Sequence, residues 1–184
     1  MARIAFKGGA CHTNAEMPPL GAKAPDFTLT KQDLSAASLK DFVGRPIVLN
    51  VFPSLDTSVC ANSVRRFNEE AARLPGVSVL CISHDLPFAQ KRFCGAEGIQ
   101  HAYVLSGFRH PDFGRKYGLL IVDGPLAGLL ARAVLVVDSA GYIRHTQLAP
   151  EIAQELDYAA ALKALGEERA AAGPRGGRLC MSTT

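Results

Sequence analysis

Apolar positions along the chain fall into short dense runs separated by stretches of helical spacing. Residues 47–52 (Ile47, Val48, Leu49, Asn50, Val51, Phe52) are nearly all apolar and rich in β-branched side chains, as a strand buried on both faces should be. From Thr57 onward, Val59, Val64, Phe67, Ala71 and Leu74 recur at three to five residues, which predicts a helix to about Arg73 that Pro75-Gly76 ends. Residues 77–82 repeat the buried-strand pattern. Asp85 is placed to cap a helix over 86–94, with Pro87 tolerated in its first turn and Gly95 and Gly98 marking its end.

Weaker signals fill in the rest. Residues 2–7 alternate and stop at Gly8-Gly9, giving an N-terminal strand and turn. A Pro-rich loop over 11–25 leads to a brief strand at 27–29. A strand at 102–105, a short helix at 111–117, and strand-like runs at 119–122 and 129–137 follow. The turn Asp138-Ser139-Ala140-Gly141 returns the chain as a strand over 142–147, and a last helix is predicted from about 151 to 171. The Gly- and Pro-containing end beyond it reads as a flexible tail. Periodicity by itself therefore gives an α/β protein with a mixed sheet and right-handed crossovers.

Composition narrows the classes. At 184 residues the chain is one domain with a sizeable core, and a net charge of +3 argues for neither nucleic acid nor membrane binding. No apolar stretch reaches the roughly eighteen residues of a membrane span. The N-terminus has no signal-peptide core, so the expected location is cytoplasmic. In a reducing compartment the five cysteines (Cys11, Cys60, Cys81, Cys94, Cys180) are expected to be free, catalytic or metal-binding rather than structural bridges. No C-x-x-C, H-E-x-x-H, phosphate-loop or dinucleotide fingerprint is present, so no metal and no bound cofactor is expected.

The chemistry concentrates at Cys60. It follows a buried strand and opens a helix, where the positive end of the helix dipole favours a thiolate. Most cysteines are buried small hydrophobes, and Cys81, inside the strand 77–82, reads as one of them. Cys11 in a loop and Cys180 in the tail fall in no motif. Alternation along 129–137 puts Leu130, Arg132, Val134 and Val136 on one face. An arginine there needs an anion or several acceptors; from the pattern alone, snorkelling to solvent at the strand's start is an equally good reading. Spacing alone would likewise make Cys94 a core residue of its helix, facing inward with Phe88 and Phe93.

Pro53, Thr57 and Cys60 spell P-x-x-x-T-x-x-C, and with this motif the sequence resembles the peroxiredoxins. Val51-Phe52-Pro53-Ser54, Ser83-His84-Asp85-Leu86-Pro87-Phe88-Ala89-Gln90, Arg92-Phe93-Cys94-Gly95 and Ala131-Arg132-Ala133 extend the resemblance to the bacterial thiol peroxidase branch, the atypical two-cysteine group, over roughly residues 3 to 165. The resemblance implies a thioredoxin-like fold of peroxiredoxin type, a central mixed sheet flanked by helices with an N-terminal β-hairpin. It divides the chain into a hairpin and loop at 1–20, the thioredoxin-like domain at 21–168, and a tail at 169–184.

It further implies a thiol-dependent peroxidase acting on hydrogen peroxide and organic (alkyl) hydroperoxides. Cys60 would be the peroxidatic thiol, with Thr57, Pro53 and Arg132 around it. Cys94 would resolve its sulfenic acid as an intramolecular disulfide. Thioredoxin would be the reductant and a homodimer the expected assembly. Two other readings share the motif: a peroxide sensor using the same disulfide, and a disulfide-exchange protein. The second is disfavoured because exchange catalysts use closely spaced dithiols.

Overall fold

The structure is a computed structural model and describes residues 1–171. Its centre is a seven-stranded mixed sheet built from β3 (Thr28–Thr30), β4 (Ala36–Ser38), β5 (Ile47–Val51), β6 (Ser78–Ser83), β7 (Tyr103–Ser106), β8 (Ala133–Val137) and β9 (Ile143–Leu148), in the order β4-β3-β7-β6-β5-β8-β9. The central β5, β6 and β7 run parallel, and β8 pairs antiparallel with β5 and β9. Every residue of β5, β6 and β8 is buried, which is why their sequences read as continuous rather than alternating apolar runs.

Alternation still divides these strands between two apolar layers. Ile47, Leu49, Val51, Leu80, Ile82 and Leu135 face one cluster, packed with Phe27, Phe113 and Tyr117. Val48, Val79, Cys81, Val104, Val134 and Val136 face the other. That second layer is covered by α1 (Ser58–Arg73), α2 (Pro87–Glu97) and α4 (Tyr158–Ala171), through Cys60, Val64, Phe67, Cys94, Tyr158 and Leu165. A short α3 (Asp112–Lys116) lies on the first side. The architecture is the helix-flanked mixed sheet expected from the resemblance.

Several local expectations give way to long-range pairing. The N-terminal strand β1 (Arg3–Phe6) is half of a hairpin with β2 (Gly9–His12), whose Gly9 and Ala10 carry little strand signal of their own. Lys7 (φ 51°) and Gly8 (φ 80°) form its two-residue turn with both residues left-handed, the geometry that matches strand twist. β4, made of Ala36, Ala37 and Ser38, exists only through its pairing with β3. The run 129–137 splits: Leu130 bridges Leu120 and packs in the first layer, and only residues from Ala133 join the sheet. The last helix starts at Tyr158 rather than near 151, because Ile152 donates its N–H to the Ala5 carbonyl at 2.9 Å, tying this segment to the hairpin. α2 continues through Gly95 and stops at Gly98, whose φ of 64° forms the left-handed cap. The flexible tail expected from the sequence, with Cys180, lies outside the described residues beyond 171. Among the described residues no helix is long and apolar enough to cross a membrane.

Gly118 shows how closely the N-terminal segment is laid on the body. Its φ is +65°, and a Cβ there would collide with the backbone carbonyl of Glu16. Gly118→Ala is therefore expected to lower the unfolding free energy by at least about 2 kcal/mol, combining left-handed strain with a backbone clash. Urea denaturation of the two proteins checks this.

Candidate active site

The sheet register assembles the site at the carboxyl ends of the parallel strands. Val51 at the end of β5 pairs with Ala133 on one side and Ile82 on the other. Residue 132 is therefore brought beside the chain leaving β5, and Ser83 flanks it from β6. After Phe52, whose N–H still bonds to Ile82 O at 3.1 Å, the buried Pro53 turns the chain into a tight loop. Thr57 closes that loop in extended conformation (φ −111°, ψ 140°) as the residue before α1.

Cys60 is the third residue of α1 and is fully buried. It sits in the first turn, where backbone N–H groups lack intrahelical acceptors and the helix end is positive. Arg132 Nη2 lies 3.1 Å from its sulfur, and Arg132 Nε donates to the Ile152 carbonyl at 2.8 Å. Arg132 is only 2 % exposed, so it does not snorkel. Among the described residues no carboxylate forms an ion pair with it. A buried guanidinium without a carboxylate needs another anion, and the group at hydrogen-bond distance is the Cys60 sulfur.

Pro53 and Thr57 belong to the loop that joins β5 to α1 ahead of Cys60. The exposed Thr57 hydroxyl donates to the Ser54 carbonyl at 3.3 Å rather than to the sulfur. Beneath Cys60, the Ser63 hydroxyl donates to the Cys60 carbonyl at 2.8 Å and accepts from the buried Asn50 side chain at 3.2 Å. This ties α1 to β5.

Cys94 lies on α2, in the same apolar layer as Cys60, and both thiols are free. Burial pushes the Cys94 thiol up, opposed by the Gln32 amide, which donates to its sulfur at 3.1 Å. A cleft of 320 Å³ separates the start of α1 from α2, lined by Leu55, Asp56, Thr57, Arg65, Arg92 and Phe93. Two ion pairs span it, Arg65–Glu97 at 2.7 Å and Arg92–Asp56 at 3.7 Å. Cys81 is sealed in β6 and its thiol is pushed up to about 12 by burial, with the Asn50 amide opposing. Cys11, expected in a loop, belongs to strand β2 of the hairpin, where it is buried, and its thiol is raised by burial, then by the charges of Asp123 and Glu151. Among the described residues no group of acidic, histidine or cysteine side chains is arranged to hold a metal.

Asp85 does not cap α2, whose N-cap is Leu86 without a side-chain bond. Its carboxylate instead accepts from Ser54 Oγ at 2.7 Å, Leu55 N at 2.8 Å and Ser83 Oγ at 2.7 Å. Its carbonyl accepts from Ser106 Oγ at 2.6 Å. Asp85 thus pins the loop before Cys60 to the ends of β6 and β7. The fully buried Gln90 supports the same junction through Ser83 Oγ at 3.3 Å and Leu105 O at 3.0 Å. The signal in the sequence was the set of polar residues directly after two buried runs, Ser54 after 47–52 and Ser83 and Asp85 after 77–82.

Residues 19–162 match the Redoxin family. The chain is 55 % identical over 166 residues to a thiol peroxidase of Mycobacterium tuberculosis (strain ATCC 25618 / H37Rv), covering 90 % of this chain and 99 % of that protein. It is 52 % identical over 165 residues to a thiol peroxidase of Corynebacterium glutamicum, with the same coverage of 90 % and 99 %. Among solved structures, a peroxiredoxin-like protein from Aquifex aeolicus superposes with a TM-score of 0.86 at 38 % identity, covering 91 % of this chain and 97 % of that one. A thiol peroxidase from Chromobacterium violaceum shares the fold with a TM-score of 0.82 at 23 % identity, over 92 % and 98 % of the two chains.

The Asp85 junction gives a direct expectation. Asp85→Asn keeps the shape but cannot accept on both arms as a carboxylate does. It should lower stability by about 1–3 kcal/mol, the range for an unsatisfied partly buried donor. The Leu55 amide should exchange hydrogen faster. Chemical denaturation and amide exchange read the two effects separately.

Proposed function

The chain belongs to the Redoxin family, among the thiol peroxidases of the peroxiredoxin group, and on that premise we propose how its residues divide the reaction. Cys60 is the peroxidatic residue. Its thiolate attacks one oxygen of a hydroperoxide, the O–O bond breaks, and the second oxygen leaves with the electron pair and takes up a proton as water or alcohol. Cys60 is left as a sulfenic acid. The observation that carries this reading is the Arg132 guanidinium at 3.1 Å from the Cys60 sulfur, with no carboxylate partner among the described residues.

Arg132 supplies the positive charge that pairs with the thiolate before attack and faces the negative charge that grows on the oxygens during it. Its bond to the Ile152 carbonyl fixes its orientation beforehand, so little reorganisation accompanies the reaction. Thr57, at the mouth, orients the peroxide through its hydroxyl after releasing Ser54. Pro53, with no N–H to bind water, screens the sulfur from solvent. Hydrogen peroxide and alkyl hydroperoxides are both accommodated by this chemistry, since the guanidinium addresses only the O–O unit.

Cys94 is the resolving thiol. Its sulfur attacks the Cys60 sulfenic acid, an S–S bond forms, and water leaves. Both sulfurs are buried on separate helices, so the first turn of α1 and the end of α2 must open. That opening breaks the Arg65–Glu97 and Arg92–Asp56 pairs, which are exposed and individually weak. It also frees Cys94 from the burial that disfavours its thiolate. Thioredoxin then reduces the disulfide by dithiol exchange, returning two thiols, in keeping with a reducing cytosol. Leu86, Phe88 and Phe108, exposed near the ends of β6 and β7, form the face on which a second copy of the chain docks. Sedimentation equilibrium should then give twice the chain mass, and a single chain mass refutes the dimer.

The cycle is tested with Cys94→Ser. This variant should react with one equivalent of peroxide as fast as the parent, accumulate Cys60 sulfenic and sulfinic acids, and form no intramolecular disulfide by mass spectrometry. Steady turnover with thioredoxin should be lost. Unchanged turnover would remove Cys94 from the cycle. Thr57→Val should slow the first step about tenfold or more, in the range of one transition-state hydrogen bond, and single-turnover oxidation measures it.

A further inference from the structure

Arg132 is held at only two of its three nitrogens. Nε meets the Ile152 carbonyl and Nη2 meets the Cys60 sulfur, while Nη1 is buried with no hydrogen-bond partner among the described residues. A second orphan lies in the same layer, the hydroxyl of Tyr158, buried and without a well-formed hydrogen bond among the described residues, with the Ser63 side chain beside it. Tyr158 is the first residue of α4 and is 3 % exposed. Its ring is clamped edge-to-face against Phe67 at 5.2 Å, with the Arg66 guanidinium 4.9 Å from its centroid.

The ring is therefore fixed by α1, the helix that carries Cys60, and the hydroxyl is sealed into the layer containing that thiol. Burial pushes the phenol up, while the Arg132 charge and, more weakly, the Ser63 side chain pull the other way. Two buried polar atoms of complementary type, a guanidinium donor and a phenolic acceptor, are costly apart and satisfied together.

We propose that Tyr158 is a positioning residue for Arg132: its hydroxyl takes the free Nη1 edge, directly or through one bridging water, and so fixes the edge that meets Cys60. The inference rests on reading Cys60 with Arg132 as the reacting pair. It gives α4 a part in the chemistry that no sequence motif assigned to it. With Ile152 O holding Nε, the guanidinium is fixed from the side away from the peroxide, and its plane stays aimed at the sulfur.

The test is single-turnover oxidation by peroxide of four forms: parent, Tyr158→Phe, Arg132→Lys and the double variant. Tyr158→Phe removes one oxygen and keeps the clamped ring, and circular dichroism with a melting curve verifies that the fold is retained. It should slow oxidation about tenfold, the weight of one hydrogen bond to a charged group. It should slow Arg132→Lys no further. Nitrogen-15 NMR of the Arg132 guanidinium should show two resolved Nη signals in the parent that merge in Tyr158→Phe. Parental speed in Tyr158→Phe, or equal slowing in both backgrounds, overturns the positioning role while leaving the Cys60–Arg132 reading intact. Parental speed in Arg132→Lys overturns that reading and the inference with it.

Discussion

A guanidinium sealed from water, with no carboxylate paired to it among the described residues, is the constraint around which this molecule is arranged. Arg132 is held between a backbone carbonyl and a thiol sulfur. Burying such a charge is tolerable only where an anion and fixed acceptors replace its water. The fold provides that place by register. β5 and β8 pair so that Ala133 lies opposite Val51, and the arginine arrives where the chain leaves β5 for α1. The positive end of α1 and the guanidinium then converge on one sulfur. The segment around Ile152, which gives up helix to bond with the N-terminal hairpin, supplies the remaining acceptor. A hairpin distant in sequence thereby helps to orient the group that touches the thiol.

The cysteines show how environment rather than residue type sets reactivity. Cys81 is sealed within β6, and burial, against the opposing Asn50 amide, pushes it up to about 12. Cys94 is buried and raised, but near the end of a helix whose left-handed cap at Gly98 and exposed ion pairs make unwinding inexpensive. Cys60 combines helix start, guanidinium and a rigid loop. Asp85 holds that loop by three side-chain and backbone donors, which keeps the reacting geometry fixed while the neighbouring helices remain free to open.

Much of this was legible in the sequence because the buried parallel strands and the amphipathic α1 write their burial directly into residue type. The alternation that set Arg132 on one face with Val134 and Val136 agrees with the layer in which those valines pack. Leu130 does not share that layer, because its bridge to Leu120 turns the chain before the strand begins. Elements whose existence depends on a partner were not legible. β2 and β4 consist mostly of small residues that become strands only by pairing. α4 starts later than its local sequence implies because a backbone bond to Ala5 outweighs local helix preference at Ile152. Asp85 looked like a helix cap since a cap needs only local sequence. Besides the nearby Ser83, its carboxylate holds Ser54 and Leu55, which lie some thirty residues upstream, and only the sheet brings them together. Tyr158 carried no signal, since the residues that clamp its ring, Arg66 and Phe67, come from the distant α1.

The most direct test of the central claim is the rate at which the fully reduced protein consumes one equivalent of cumene hydroperoxide in a stopped-flow instrument. A Cys60 thiol held against Arg132 as described should react at or above ~10⁴ M⁻¹s⁻¹, in the range of ordinary enzyme efficiencies. A rate no greater than that of a free cysteine would mean that the buried pair does not activate the sulfur, and would contradict the account.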